Sequence, residues 1–501
     1  MSAMRVTRSI ALVLLAASCG NHKYYVAAAP SAPSYAIAER AASGDSFHDW
    51  GKNPWVDASK DHLSTFAADV DTASYTLARR MLGEGALPPA AEVRVEEFVN
   101  YFRYAFPEPA PGSPFAVIMD AAPSPLLPDH TILRVAVGTR TRPSDEHRPA
   151  HLVFLVDISG SMNAPDRLPL AKQSLKILTN NLGASDTVAL VTYAGATRVV
   201  LPPTGIAHRR DILAAIDALD AGGSTAMASG LDLAYEQAMR GVAPGVTSRV
   251  IVCTDGDTNV GPTSQDELLR IIASRAAAGV TLSTVGFGMG NYKDALMEQL
   301  ADKGNGNNFY IDSLAAAKKV FQDQLGANLE VLARDVKLQV DFDPAIVARY
   351  RLVGYENRTI ADDQFRNDRV DAGEVGPGHQ VTAMYELELT PAGKLAPAPL
   401  GAVRIRYKAP DGDAPASERA FAMAAPPAAT FAAATPDLRF AFAVSAFADV
   451  LRGQDDATHW SLDAIEQVAR ATTGDDADRR ELVSLIDKAR LLRGAPAQVA
   501  R

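Results

Sequence analysis

The chain has 501 residues, of which 47% are hydrophobic and 22% are charged, so it has room for several domains of ordinary globular composition. Its formal net charge is −10 and its pI is about 5.5. This balance argues against a nucleic-acid-binding surface, because neutralising phosphates needs clustered Lys and Arg, and no such cluster occurs in the sequence.

The N-terminus has the pattern of a bacterial export signal. Two basic residues, Arg5 and Arg8, precede a short apolar run that is too short to span a bilayer as a mature helix. The run ends in Leu15-Ala-Ala-Ser-Cys19, which resembles a bacterial lipobox. The resemblance implies that residues 1–18 are removed and that Cys19 becomes the lipidated first residue. A plain signal peptide with a chance Cys is the alternative interpretation.

The lipid anchor predicts a location in the cell envelope. Gly20 follows Cys19 where the family sorting pattern for inner-membrane retention has Asp, so in a Gram-negative cell we expect the outer membrane rather than the inner one. Cys253 is the only other Cys, and a lipidated Cys19 leaves it no disulfide partner. Cys253 lies in an apolar run and is predicted to be a small core residue. Residues 19–60 are predicted to be a flexible tether.

A first folded region is predicted at residues 61–148. It contains a helical pattern at 72–82, with Asp71 as a plausible N-cap, and strand-like patterns between 115 and 137. Asp69 and Asp71 are candidate metal ligands, but capping and turn chemistry is the preferred interpretation of both residues.

Strand and helix patterns then alternate through residues 149–328, which predicts an α/β fold with a doubly wound, mostly parallel sheet. Predicted strands occupy 152–156, 187–193, 197–201, 249–253, 281–287 and 308–311. Predicted helices occupy 168–182, 209–218, 226–239, 264–278 and 293–301. Only three residues separate the second and third strands, so these two must be antiparallel neighbours, with the reversed strand at an edge.

Oxygen-bearing side chains follow the predicted strands. Asp157, Ser159 and Ser161 come directly after the strand at 152–156, Asp255 follows the strand at 249–253, and Thr225 opens a helix. The carboxyl ends of neighbouring parallel strands meet at one sheet edge, where ligands bind. Two carboxylates and three hydroxyls there would suit a hard divalent cation, so Mg²⁺ is predicted, with Mn²⁺ or Ca²⁺ as alternatives.

These residues resemble the metal-ion-dependent adhesion site of the von Willebrand factor type A family. The matching positions are Asp157-x-Ser159-x-Ser161, Thr225 and Asp255. The resemblance implies that Ser159, Ser161 and Thr225 bind the metal through their hydroxyls, while Asp157 and Asp255 contribute directly or through water. It also implies a Rossmann-like fold and a partner protein whose carboxylate completes the coordination sphere.

The flanking sequences resemble the bacterial YfbK-like lipoproteins that carry a type A domain. The similarity includes residues 65–75 and 95–102 before the type A domain, and residues 351–358 and 370–385 after it. It covers roughly residues 60–495. A β-rich domain with period-two alternation is predicted at 329–425, forming an antiparallel sandwich or sheet. A helical region at 426–501 is predicted to close the fold and cover apolar sheet surface.

An enzyme is not predicted. Phosphoaspartyl hydrolases need a second acid where this chain has Ser159, and no Lys or His lies in the three loops, although Arg167 and His208 are close in sequence. The Asp255-Gly-Asp-Thr-Asn stretch is not an EF-hand, because Val260 stands where that loop requires Gly. We expect a protein partner bound through the metal and a membrane contact through the lipid, with no small-molecule substrate. The alternatives are an envelope scaffold with a structural metal and a Mg²⁺-dependent hydrolase.

Overall fold

The computed structural model describes residues 47–68, 71–141, 148–223, 227–256, 265–290, 292–370, 372–410, 414–453 and 460–494. Four features predicted from the sequence lie outside these ranges: the export signal with Cys19, most of the tether, Asp69 and Thr225.

The strands of the described residues fall into three sheets and are numbered in chain order. They are β1 (Val56–Asp57), β2 (Leu63–Ala67), β3 (Phe115–Pro123), β4 (His130–Thr139), β5 (Ala150–Asp157), β6 (Thr187–Tyr193), β7 (Arg198–Gly205), β8 (Thr247–Thr254), β9 (Val280–Gly286), β10 (Asn308–Tyr310), β11 (Arg334–Phe342), β12 (Val347–Val353), β13 (Gln380–Leu389), β14 (Gly401–Lys408) and β15 (Ser417–Ala422).

The α-helices of the same residues are also numbered in chain order. They are α1 (Ala73–Gly83), α2 (Val95–Tyr101), α3 (Leu168–Asn181), α4 (Arg209–Asp217), α5 (Met227–Met239), α6 (Gln265–Ala277), α7 (Asp294–Lys303), α8 (Leu314–Lys318), α9 (Leu325–Leu329), α10 (Pro391–Leu395), α11 (Pro436–Arg452), α12 (Leu462–Arg470) and α13 (Ala477–Gly494). A π-helical turn at Lys319–Asp323 joins α8 to α9.

The type A region is a six-stranded sheet in the order β10-β9-β8-β5-β6-β7, in which only β7 is antiparallel to its neighbour. This arrangement confirms the predicted doubly wound α/β fold and its reversed edge strand. Every residue of β5 is buried, as expected for a central parallel strand that is covered by helices on both faces. Cys253 is buried in β8, which confirms that it is a core residue, and burial raises the pKa of its thiol to about 12.

The other two sheets are antiparallel and combine strands from before and after the type A region. One sheet has the order β1-β12-β13-β4-β3 and the other has the order β15-β14-β11-β2. Their apolar faces share one core, in which Phe66 from β2 and Val135 from β4 join Leu338 from β11 and Tyr385 from β13. Alternating apolar residues therefore build the antiparallel part of the fold, as the period-two pattern predicted.

The closing helices pack beside this sandwich. Helix α11 contacts β4 and β13 and also α2, and its residues from Phe440 to Leu451 are buried. Thr435 begins α11, because its hydroxyl accepts a hydrogen bond from the Leu438 amide, and Gly453 ends it in the left-handed conformation. Among the described helices, none combines the length and the apolar character needed to cross a membrane.

A buried ion-pair network joins the type A region to its flanks. Arg94, which precedes α2, pairs with Glu97 at 2.6 Å, with Asp294 at 3.1 Å and with Glu298. Arg358, which follows β12, donates to Glu298 at 3.0 Å. Because Asp294 and Glu298 belong to α7, this helix of the type A region is held by one arginine from each flank.

Asp71 belongs to the same network, and its predicted role as the N-cap of α1 is wrong. Thr72 occupies the N-cap position without a side-chain capping bond, and the Ser74 amide in the first turn of α1 donates to Glu97 Oε2 at 2.8 Å. Asp71 instead accepts hydrogen bonds from the Asn308 amide at 2.7 Å and from Arg358 at 2.9 Å. The Asn308 amide and the Arg358 guanidinium hold the Asp71 carboxylate, while Glu97 accepts from the buried first turn of α1, so tertiary contacts decide the orientation of Asp71.

Candidate metal centre

The parallel register of the central sheet brings two of the predicted ligand loops together. Val156 of β5 pairs with Cys253 of β8, so Asp157 and Asp255 leave neighbouring strands at the same edge. Both carboxylates are almost fully buried. The Thr254 hydroxyl donates to Asp157 Oδ2 at 3.1 Å, which links the end of β8 directly to the first loop.

The first loop folds back on its own carboxylate. The Ser159 amide donates to Asp157 Oδ1 at 2.8 Å, an Asx-type turn that directs the following residues across the sheet edge. The chain then makes a short 3₁₀ turn at Gly160–Asn163. This turn places the Ser161 hydroxyl oxygen 3.0 Å from that of Ser159. Asp157, Ser159 and Ser161 therefore face one small region, as their sequence pattern predicted.

The loop that carries the third predicted hydroxyl docks against the first loop. The Gly222 amide donates to the Ile158 carbonyl at 2.7 Å, and the Gly160 amide donates to the Gly223 carbonyl at 3.1 Å. Gly223 has a φ of +101°, and a Cβ there would lie 2.9 Å from the Gly195 amide, so glycine is required for this close approach. Thr225 lies outside the described residues, two positions beyond Gly223, and its role as a ligand stays a prediction.

Arg167 is a site residue that the sequence placed nearby without giving it a role. Its Nη1 donates to Asp255 Oδ2 and to the Ser161 carbonyl, both at 2.7 Å, and its Nη2 donates to the Met289 carbonyl at 2.7 Å. Gly288 makes room for this side chain, because its φ is +70° and a Cβ there would collide with the guanidinium. Arg167 thus ties the first loop, the end of β8 and the loop after β9 together.

The charges of the centre leave it attractive to a cation. Asp157 and Asp255 bring two carboxylates, and Arg167 brings one positive charge. Burial raises the pKa of Asp157 to about 6, and the Asp255 charge adds to this effect, while hydrogen bonds from Ser159 act in the opposite direction. A carboxylate with a raised pKa is one that a bound cation would stabilise.

The donor set fits a small, hard cation. Two oxygens bound at right angles to one Mg²⁺, each about 2.1 Å away, lie about 3.0 Å apart. The Ser159 and Ser161 hydroxyl oxygens have this separation. Asp157, Ser159, Ser161 and Asp255 would hold the ion, directly or through water.

A second acidic group lies elsewhere in the described residues. Ligand atoms of Asp71, Glu97 and Glu298 lie within 4.8 Å of one another, and all three residues are buried. Each of the three already pairs with Arg94 or Arg358. The guanidinium groups occupy the role that a metal would have, so we interpret this triad as part of the ion-pair network.

Comparison with known families covers almost the whole described chain. Residues 151–323 match the family described as the von Willebrand factor type A domain, and residues 41–134 match the one described as von Willebrand factor. Residues 327–492 match "Uncharacterized protein YfbK, C-terminal". The chain is 39% identical over 469 residues to the Uncharacterized protein YfbK of Escherichia coli (strain K12), an alignment covering 88% of this chain and 80% of that protein. The chain belongs to the YfbK family.

More distant relatives match smaller parts of this chain. The Uncharacterized protein sll0103 of Synechocystis sp. (strain ATCC 27184 / PCC 6803 / Kazusa) is 25% identical and covers 56% of this chain and 66% of its own. The Magnesium-chelatase 67 kDa subunit of Chlorobaculum tepidum is 31% identical over 34% of this chain and 29% of its own. The solved von Willebrand factor type A protein from Catenulispora acidiphila is 19% identical, with a TM-score of 0.44 over 78% of this chain and 91% of its own.

The match to the type A domain indicates the general class of function. A type A domain indicates protein–protein interaction or adhesion, and type A domains often bind divalent metals. The similarity to the Escherichia coli and Synechocystis proteins is consistent with a role other than catalysis. The chelatase subunit is a more distant match.

Proposed function

We propose that this YfbK-family chain is an exported lipoprotein of the bacterial envelope that binds a partner protein through a divalent cation. Asp157, Ser159, Ser161, Thr225 and Asp255 would hold the cation, most simply Mg²⁺, and Cys19 would carry the lipid. A bound cation supplies a vacant or water-filled coordination position that an acidic side chain of the partner can occupy.

The observation that carries this proposal is the donor set at the carboxyl edge. Two serine hydroxyls 3.0 Å apart stand beside two buried carboxylates, one of which is neutralised by Arg167. One negative charge remains there, so a divalent cation would leave the centre with a net positive charge. A centre with that charge favours a carboxylate over a neutral or basic side chain.

Metal binding is tested by isothermal titration of the purified soluble part of the chain with Mg²⁺ and with Mn²⁺. We expect saturable binding in the wild type and none in Asp157→Asn. The matched control is Asp463→Asn, because Asp463 is an exposed carboxylate in α12, outside the type A region. Undiminished binding in Asp157→Asn would place any bound metal elsewhere.

Partner binding is tested by crosslinking in cells followed by mass spectrometry. We expect a partner that is captured by the wild type and lost both in Ser161→Ala and after chelation. If the same partners are captured in all three cases, the sandwich and the helices make the contact, and the chain acts as a scaffold with a structural metal.

Hydrolysis is the least supported alternative. The nearest basic side chain, Arg167, already donates to three oxygens of the protein, so it is not available as a charge clamp for a substrate.

The lipid anchor at Cys19 is tested separately by metabolic labelling with a palmitate analogue. Label should be incorporated in the wild type and absent in Cys19→Ser, with the variant released from the membrane fraction.

A further inference from the structure

A cavity lies where the type A region meets the loops that connect β12 to β13. Its volume is about 270 Å³. One wall comes from the type A region and includes Arg249 at the start of β8 and the loop after α7. The opposite wall is formed by residues around Asn357 and around Glu374, within the two segments whose sequences resemble the C-terminal part of the YfbK family. The proposed metal centre does not use either segment.

The cavity and the metal centre are at opposite ends of β8. Arg249 precedes Thr254 by five residues, which corresponds to about 17 Å along an extended strand. The two places therefore share a strand and share no side chain. A ligand in the cavity would contact the type A region and the sandwich at the same time.

Arg249 is an unusual residue for a cavity wall. Its side chain is buried, with only 3% of the residue exposed. Its Nη1 donates to the Ser283 hydroxyl at 2.9 Å and to the Asn328 carbonyl at 2.7 Å, both neutral acceptors. Its Nε has no hydrogen-bond partner, and no carboxylate among the described residues forms an ion pair with it. A buried guanidinium without a counter-ion is costly to the folded protein.

The other charged residues of the cavity define what it can accept. Asp302 is paired with Arg358 at 2.9 Å, and Arg358 also pairs with Asp71 and Glu298, so the Arg358 charge is already shared among three carboxylates. Lys303 is exposed and has no ion pair in the described part of the chain, which adds a second positive charge. Glu330 and Glu374 also line the cavity, and the Glu374 charge acts on Arg249 from beyond ion-pairing distance. Burial lowers the pKa of Arg249 to about 10, so it still carries its charge at neutral pH.

The lack of an ion pair at Arg249 among the described residues favours a small ligand with a single carboxylate. A carboxylate can accept two parallel hydrogen bonds from a guanidinium, which suits the unpaired Arg249. Two carboxylates of the protein in the same wall disfavour a dianion such as phosphate. A volume near the lower end of the range for ligand pockets limits the size of the molecule to that of an amino acid or a short-chain acid.

We propose that this cavity binds a small organic monocarboxylate, held by Arg249, between the type A region and the sandwich. Two sources have this chemistry: a simple organic acid and an amino acid, whose ammonium group would also be attracted by Glu330 and Glu374. The proposal does not depend on the metal, so it can be tested separately from the proposed function.

The experiment is a titration of the purified soluble chain with lactate, alanine, glutamine and inorganic phosphate, followed by thermal unfolding and calorimetry. We expect saturable stabilisation by lactate or by the amino acids and none by phosphate. Stabilisation by alanine and glutamine only would identify the amino acid as the source, and stabilisation by lactate alone would identify the simple acid. A response to phosphate equal to that of the acids, or no saturable response to any monocarboxylate, would overturn the proposal.

Two variants locate the site. Arg249→Lys keeps the charge but loses the two-bonded geometry, and we expect affinity to fall roughly tenfold or more. Lys303→Glu changes an exposed residue at the cavity wall, so it should fold normally and still weaken binding. Unchanged affinity in both variants would place the ligand elsewhere. Repeating the titration in Asp157→Asn should give wild-type affinity, which separates this site from the metal centre.

Discussion

Two buried groups of carboxylates in this molecule contain the same kinds of charge and differ in what surrounds them. At the carboxyl edge of the central sheet, Asp157 and Asp255 stand beside two hydroxyls, and one arginine, Arg167, pairs with Asp255. In the ion-pair network, Asp294 and Glu298 of α7 are joined to two arginines that come from the flanks. The first group combines its carboxylates with neutral hydroxyl oxygens and one guanidinium, and the second combines its carboxylates with two guanidinium groups.

The difference shows how to separate a metal site from a structural ion-pair network. Arginines satisfy carboxylates with fixed geometry, so a network built with them holds segments together and leaves little room for an ion. Serine hydroxyls cannot neutralise a carboxylate, so the proposed cation would supply the positive charge at the sheet edge. If this interpretation is correct, substitutions in the two groups should differ in how much they lower stability and in whether added metal restores it.

Removing an arginine of the network should have the largest effect. In Arg94→Met, three buried carboxylates lose a shared counter-ion, and we expect the free energy of unfolding to fall by about 3–5 kcal/mol. Denaturant unfolding measures the change. The matched control is Arg366→Met, whose pair with Glu418 is largely exposed and should contribute less than about 1 kcal/mol. Equal losses in the two variants would contradict a structural role for the network.

Adding Mg²⁺ should stabilise the wild type through the carboxyl-edge centre. At a concentration about 100 times the dissociation constant, we expect a gain of about 2.7 kcal/mol, absent in Asp157→Asn. The pKa of Asp157 is raised to about 6 by burial, and a protonated carboxyl is a poor ligand, so Mg²⁺ affinity should fall as the pH drops through about 6. Calorimetry at pH 5 and pH 7.5 tests this, and equal affinities at the two pH values would count against Asp157 as a ligand.

Removing Arg167 from the carboxyl-edge centre should lower the free energy of unfolding by less than removing Arg94 does. Added metal should restore part of that loss. Arg167→Met leaves the fully buried Asp255 carboxylate without its guanidinium, and we expect a loss of about 2 kcal/mol. Saturating Mg²⁺ should recover more stability in this variant than it adds to the wild type, because the cation replaces the lost positive charge. Arg94→Met should gain no more from Mg²⁺ than the wild type does.

The two groups also differ in how far the sequence predicts them. The ligands Asp157, Ser159 and Ser161 lie within five residues of one another and directly follow a buried strand, so local pattern alone brings them together. The parallel order of β5 and β8 then adds Asp255. The role of Arg167 depends on Met289, more than a hundred residues later, and no local pattern signals that contact.

The ion-pair network is beyond local prediction for the same reason. Asp71 precedes a helix, and a short-range interpretation makes it a cap, yet its partner Arg358 is 287 residues away. The sandwich has a similar origin, because β2 pairs with β11 across almost the whole type A region. Period-two alternation predicted β11, β13 and β14 but missed β12 and β15. It also did not predict which strands would pair, since register depends on the tertiary fold. The exact domain boundaries stay predictions.

The smallest effect we expect is the contribution of Glu97, in the ion-pair network, to the dependence of stability on pH. Burial raises the pKa of Glu97 to about 8, against the opposing effect of Arg94, since that arginine is shared among three carboxylates. Its pKa in the unfolded chain is about 4.5. The folded state therefore keeps a proton that the unfolded state releases, so stability is fully present below about pH 4.5 and is lost as the pH rises toward 8. Neighbouring carboxylates share the proton, which limits the expected change to on the order of 1 kcal/mol.

Glu97→Gln tests this dependence by removing the titrating group while keeping its shape. Between pH 5 and pH 8, the free energy of unfolding should decrease less in the variant than in the wild type. Chelator should leave that difference unchanged, because the network holds arginines where the carboxyl-edge centre would hold a metal. A pH dependence that instead disappears in Asp157→Asn would move its origin to the metal centre and would remove the distinction between the two groups.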